Sequence, residues 1–247
     1  YARAQSGKST TLWAWTGLVL GLLLAILMFA PARWLGLALA TASHGQVLLQ
    51  AERGTVWDGS AQLVFTGGNE SRDATVLPSR VNWRLHPRWD HLAVAVHAPC
   101  CTPEPLVLQL EPGWGRVTLR VLDSLSQWPA SLLSGLGTPW NTLQPQGNLT
   151  LSTQSLALTL TGRFERVAGT VRLDANEVSS SLSTLKPMGS YRLIIQGGAN
   201  IGLTMETLPG SRLQLSGSGQ WVGDKLRFEG SASAEPQYQD ALSNLLN

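Results

Sequence analysis

At 247 residues the chain is long enough for one sizeable core, or two small ones, beside a membrane segment. Only 14% of residues are charged, against the ~25% usual in soluble domains. The formal net charge is just +2 with no dense basic run, so nucleic-acid binding has no seat in the sequence.

Residues 1–10 read as a short basic N-terminus that stays in the cytoplasm. Residues 11–30, TLWAWTGLVLGLLLAILMFA, carry no charge; as a helix they span about 30 Å, the hydrocarbon thickness of a bilayer. Trp13 and Trp15 stand at one end and Trp34 beyond the other, in the manner of an aromatic belt. Arg3 and Lys8 precede the segment and only Arg33 follows closely. The positive-inside bias therefore favours a cytoplasmic N-terminus, with the rest of the chain across the membrane. The alternative is a cleaved signal peptide ending near Ala40-Thr41-Ala42. That site lies well past the apolar core, which favours an uncleaved single-pass anchor in the inner membrane.

Residues 31–44 form a membrane-proximal stretch with an amphipathic, helix-like pattern. After it the period changes to two. Val81/Trp83/Leu85, Leu92/Val94/Val96, Leu106/Leu108/Leu110 and Val117/Leu119/Val121 alternate with polar or small residues, as do Leu149/Leu151, Leu156/Leu158/Leu160, Val171/Leu173, Leu193/Ile195, Leu203/Met205, Leu213/Leu215 and Leu226/Phe228. Each run predicts a strand with one buried face. With no long amphipathic helices to make parallel crossovers, residues 45–247 are expected to form a mainly β, large curled antiparallel meander sheet covered by one or two short helices. Leu125, Trp128, Leu132, Leu133 and Leu136 have helical spacing, and so do Tyr238, Ala241, Leu242 and Leu245. The domain divides on this reading into two strand-then-helix halves meeting near residues 137–147.

No string suggests bond-making chemistry: G-x-S-x-G, H-E-x-x-H and the phosphate-cradling loop are all missing. His86, His91 and His97 are spaced five and six apart, which puts them on no common face, and acidic residues are scattered singly. No cofactor is implied and an enzyme is not expected. Three features remain. The string GTVWDGSA at 54–61 reads as the opening hairpin, with Asp58-Gly59 as its turn and Trp57 either packing across it or standing out as a contact. Residues 136–149, LGTPWNTLQPQGNL, read as a stiff connection that either links the two halves or carries Trp140 and Asn141 on a recognition surface. Cys100 and Cys101 are adjacent; bonded, they close a strained ring that makes a poor structural staple. Two thiols, a vicinal disulfide, and ligation or intermolecular pairing stay open.

Taken in order, the basic N-terminus, membrane helix, GTVWDGSA, LPSRVNWRL, the paired cysteines, WPASLLSGLGTPWNTLQPQGNLTL, SSLSTLKPMGSYRL, LQLSGSGQW and FEGSASAEP resemble the type II secretion system protein N family over nearly the whole chain. The resemblance implies an accessory bitopic subunit of the inner-membrane platform that exports folded proteins, working by protein–protein contact. It implies as partners the other bitopic platform subunits (the C, L and M proteins), with the outer-membrane secretin as a further neighbour, and it supplies no catalytic residues. The family pattern also runs on past Asn247 in a short basic tail. A second likeness, to AsmA-like anchored periplasmic proteins, rests on the GTVWDG hairpin and the strand alternation; it implies a groove for a lipid or other hydrophobe.

Overall fold

The computed structural model describes residues 8–68, 71–161, 163–223, 225–234 and 236–238. Side chains of 8–12, 163–165 and 236 fall outside the description. Two helices open the chain, α1 (Lys8–Met28) and α2 (Arg33–Ala42). Thirteen strands follow: β1 (Val47–Gly54), β2 (Asp58–Thr66), β3 (Ala74–Pro87), β4 (Leu92–His97), β5 (Leu106–Gly113), β6 (Arg116–Val121), β7 (Ser124–Pro129), β8 (Gln146–Thr161), β9 (Arg163–Ser179), β10 (Gly189–Gln196), β11 (Gly202–Thr207), β12 (Leu213–Val222) and β13 (Lys225–Ala234). Between β7 and β8 lie a 3-10 helix, η1 (Ala130–Leu136), and one turn of helix, α3 (Trp140–Leu143); a short 3-10 turn, η2 (Pro236–Tyr238), follows β13.

The architecture is mainly β. All thirteen strands form one antiparallel sheet in the order β1-β2-β3-β4-β5-β6-β8-β9-β10-β11-β12-β13, with β7 pairing the first part of β8. This is the meander that the period-two runs predict: each strand pairs its neighbour in sequence except β6 and β7, which both pair β8, and no crossover is needed. The sheet crosses residues 137–147 without a break: β6 and β7 pair β8 end to end, and β8 pairs β9 along its length. Among the described residues β1 and β13 each have one partner strand, so the sheet stays open.

The register carries one apolar face from edge to edge. Leu85 pairs Val94, Val94 pairs Leu108, Leu108 pairs Val121 and Val121 pairs Leu156. Farther along, Leu151, Leu173, Leu193 and Met205 form a second row. A one-residue slip would turn either row to the polar face, so these side chains fix the register. On the opposite face Arg192 sits between Asp174 and Glu206, with Nε 2.7 Å from Asp174 Oδ1 and Nη1 3.5 Å from Glu206 Oε1.

The apolar face is closed in three places. Ala32 of the α1–α2 junction packs on Ala61 and Trp83, with Leu35 and Leu49 beside them. Leu132 of η1 packs on Leu77, Val81, Ala98 and Cys101. Met188 and Leu213 form a third cluster with Val178, Leu185 and Tyr238. Elsewhere on this face Val94, Leu108, Val121, Leu158, Ile195 and Leu203 are only half-buried.

Several expectations need correction. Leu125 and Trp128 lie on strand β7, and helical geometry starts only at Ala130, after Pro129 has taken an extended conformation. Proline lacks the N–H and restricts the residue before it, so Trp128 stays on the ladder opposite Leu149. The runs around Leu149 and Leu156 are one strand, bent at an irregularity between Gln154 and Ala157 where Ser155 has φ 49°. Of the second expected helix, Ala241, Leu242 and Leu245 lie outside the described residues. The apolar helix runs Lys8–Met28 where 11–30 is expected. Among the described residues no helix is long and apolar enough to cross a membrane; described side chains of α1 begin at Trp13.

Candidate functional site

The string GTVWDGSA folds as the corner where α1 meets the sheet. The turn between β1 and β2 is made by Thr55, Val56 and Trp57, while Asp58 and Gly59 already pair Arg84 and Trp83 as the first residues of β2. The Asp-Gly turn expected there is thus displaced toward the N-terminus. Gly54, at φ 85°, allows the reversal, and Gly59 lies so close to Trp83 and the Arg53 carbonyl that a Cβ would collide with both.

Three hydrogen bonds tie this corner to the end of α1 and the residues just after it. The Trp57 indole N–H donates to the Leu27 carbonyl at 2.7 Å. The Val56 N–H donates to the Ala30 carbonyl at 2.9 Å, and the Ala32 N–H to the Gly54 carbonyl at 3.2 Å. Pro31 bridges Thr55. Beneath, the buried Trp83 indole N–H reaches the Thr55 and Val56 carbonyls at 3.2 and 3.0 Å. Leu27 is in the last turn of α1, where carbonyls have no partner within the helix; the corner supplies partners for this terminus. Trp57 is half-buried and engaged here. The outward groups are Asp58 and Arg84, an exposed ion pair at 3.1 Å.

The 136–149 segment is also tied down. The Asn141 side-chain amide donates to Asp73 Oδ2 at 2.9 Å, which joins it to the β2–β3 connection. The Leu143 carbonyl accepts from the Ser180 hydroxyl at 2.7 Å and the Ser181 N–H at 3.1 Å, which joins it to the β9–β10 connection. Gly135 packs so closely that a Cβ would sit 2.5 Å from the Phe65 carbonyl oxygen. Trp140 is 38% exposed and lines an apolar cavity of about 400 Å³ with Leu143, Leu173, Tyr191, Met205 and Leu213. Burial pushes the Tyr191 phenol up to about 12, and its hydroxyl donates to the Leu213 carbonyl at 3.2 Å. A second cavity of about 820 Å³ lies over the uncovered part of the apolar face, between Leu158, Val167, Ile195, Ile201 and Trp221.

Cys100 and Cys101 are joined as a disulfide. Cys101 is buried in the η1 cluster and Cys100 is exposed. Because the bond closes a ring between neighbours, it links no distant elements. The loop is held by the Gln127 N–H donating to the Cys101 carbonyl at 2.7 Å and the Ala98 N–H donating to Thr102 Oγ1 at 2.8 Å. His91 pairs with Asp90 at 2.9 Å, whose carboxyl it holds below its usual value, and His97 Nδ1 lies 3.1 Å from the Thr102 hydroxyl. Among the described residues no three potential ligands come together for a metal ion.

The sequence does not single out three of its tryptophans that matter here. Trp83 is hidden in an ordinary alternating run. Trp89 and Trp114 stand at hairpin tips with exposures of 97% and 103%; the Gly-Trp-Gly string at 113–115 is the signal that a large side chain sits where nothing packs.

No curated protein and no solved structure matches the chain significantly. A family model does: type II secretion system (T2SS), protein N, matches residues 45–247, which is the whole β domain. This bears out the resemblance carried by the motif order. The chain belongs to the type II secretion system protein N family.

Proposed function

We propose that this chain is a bitopic inner-membrane accessory component of a type II secretion machine, with α1 as its single membrane anchor, a cytoplasmic N-terminus, and the sheet working by protein contact in the periplasm. The observation that carries the contact is the free edge of β13. Among the described residues this ten-residue strand pairs only β12, and every residue but Ala234 is exposed. Such an edge presents a row of unpaired N–H and C=O groups to a strand from another subunit. Two further features support the placement. The 21 residues of α1, charge-free after Lys8, span about 31 Å, and leucines from Leu18 to Leu27 stand exposed on it. The Cys100–Cys101 disulfide fits an oxidising compartment. An anchored domain also searches for partners in two dimensions, which raises effective concentration. The hydroxyl beside the His97 imidazole, that of Thr102, is buried and tied to the Ala98 carbonyl at 3.2 Å, and the work assigned to the domain is binding.

The test is photo-crosslinking from Glu229 on β13 and from Trp140, in cells expressing the complete machine. The expected products contain a bitopic platform subunit or the secretin. If neither position captured any secretion-system component, the reading would fail.

The uncovered apolar face favours one second reading: a groove for a lipid or similar hydrophobe along Leu158, Val167 and Ile195. Native mass spectrometry of the detergent-extracted protein distinguishes it. Bound phospholipid supports the groove, and a bare chain dismisses it.

A further inference from the structure

We infer that the hairpin tips bearing Trp89 and Trp114 form a second membrane contact, inserting into the headgroup layer of the bilayer that α1 anchors. The inference rests on α1 being the anchor. Register places the tips. Pro87 pairs Leu92, Leu92 pairs Leu110, Leu110 pairs Leu119 and Leu119 pairs Leu158, so these residues form one row across five strands. Beyond that row β3 turns into β4 at residues 88–91, and β5 turns into β6 at Trp114 and Gly115. On β2, Asp58 pairs Arg84, three residues short of Pro87, so the corner that grips Leu27 and Ala30 is at this same end. The membrane helix therefore joins the sheet at the end where both tryptophans project.

Their exposure is what needs explaining. Among the described residues no other large apolar side chain exceeds 78%, the value at Trp13 within α1 itself. A Trp left almost wholly in water forfeits the burial of its ring, and two of them at one end of a sheet mark a surface with a partner. The bilayer interface is the environment in which an amphipathic indole gains most without a shaped pocket. Exposed Arg88 precedes Trp89, and exposed Arg116 follows Trp114 closely. Each suits anionic headgroups. The only acid within the two tips is Asp90, whose carboxylate is engaged by His91. With α1 and two tips as three points of contact, the sheet would be held at a fixed tilt, and β13 presented at a set height.

The experiment places single nitroxide labels on the full chain, reconstituted in vesicles of phosphatidylethanolamine and phosphatidylglycerol. Labels go at Asp90 and Arg116 beside the tips, at Glu104 in the β4–β5 connection at the opposite end, and at Leu20 in α1. Accessibility to oxygen against a water-soluble nickel complex reads depth. The expected result is Leu20 deep, Asp90 and Arg116 at the interface and Glu104 in water, with both tip labels moving toward water in W89S/W114S. Tip labels as aqueous as Glu104, a Glu104 label as shielded as the tips, or tip labels indifferent to W89S/W114S would each overturn the inference while leaving the anchor intact. An aqueous label at Leu20 would remove the anchor and the inference together.

Discussion

The two ends of the sheet are built from different material. At the β1–β4 end, Ala61, Leu77, Val81 and Trp83 are buried under α2 and η1, and the loop through Cys101 closes over them. At the β12–β13 end the same apolar face continues as Gly217, Gly219 and Gly230, with the Phe228 ring laid across the bare backbone and itself 41% exposed. Leu226 and Val222 are likewise exposed. Both ends alternate with period two, so the strands form equally well. Among the described residues the difference lies in what covers them: α2 and η1 lie over the first strands, while only Tyr238 of the short η2 reaches the last two, beside Leu213. The end that meets α1 is a packed core, and at the far end β13 leaves one edge without a partner strand among the described residues.

Substitutions should separate the two ends, the largest effect falling at the corner where α1 meets the sheet. Trp83→Ala removes a buried ring and the donor that reaches the Thr55 and Val56 carbonyls. It is expected to destabilise the domain by about 3–5 kcal/mol, read as a shift in the urea midpoint of the detergent-solubilised chain. An effect below that of a surface mutant would mean that the corner is not a core.

Next comes Gly135→Val, whose side chain meets the Phe65 carbonyl and Thr75 backbone; a loss of about 1–3 kcal/mol is expected from overpacking. Asn141→Ala should cost about 1 kcal/mol by leaving Asp73 without that donor. Thermal unfolding ranks the two, and the reverse order would show that the 136–149 segment is held by its polar ties more than by close packing.

Tyr191 gives a pH-dependent comparison. Its phenol is neutral in the fold up to about 12, whereas in the unfolded chain it ionises near 10. Between those values the folded state binds a proton that the unfolded state has lost. Stability contributed by the buried phenol is therefore complete below pH 10 and falls as pH rises through about 12. Absorbance titration of the phenolates should show a late component that Tyr191→Phe removes; titration of every tyrosine at the ordinary value would contradict the buried site.

At the far end, Phe228→Ser is expected to change stability by less than about 0.5 kcal/mol, yet to reduce crosslinking from Glu229. A destabilisation as large as that of Trp83→Ala would show β13 to be part of the core and not an edge left for a partner.

Much of the fold is legible from residue order because strand formation here is local. Leu92, Val94 and Val96 point one way whatever happens elsewhere, and short connections force neighbours to pair. The candidate site was less legible. Trp57 in a Trp-Asp-Gly string has the look of a hairpin decoration; its indole is engaged because the Leu27 carbonyl, thirty residues earlier, has no helical partner. Asn141 finds Asp73 across 68 residues, a pairing that no spacing encodes. Leu125 and Trp128 mimic a helix because a helical period and a strand followed by a 3-10 turn share the same few apolar positions.

By itself the sequence determined an apolar N-terminal helix, a long series of one-sided strands, an absence of recognisable catalytic strings, and a motif order specific to one family. These depend on the period of hydrophobicity and on contiguous strings, which are properties of neighbours. Only the tertiary structure decided that α1 ends in the grip of the first hairpin, that the apolar face is covered at one end and thin at the other, and that Trp89 and Trp114 project at the end where the helix enters. Those outcomes depend on which distant segments meet, and that is set by the summed register of thirteen strands and not by any one of them.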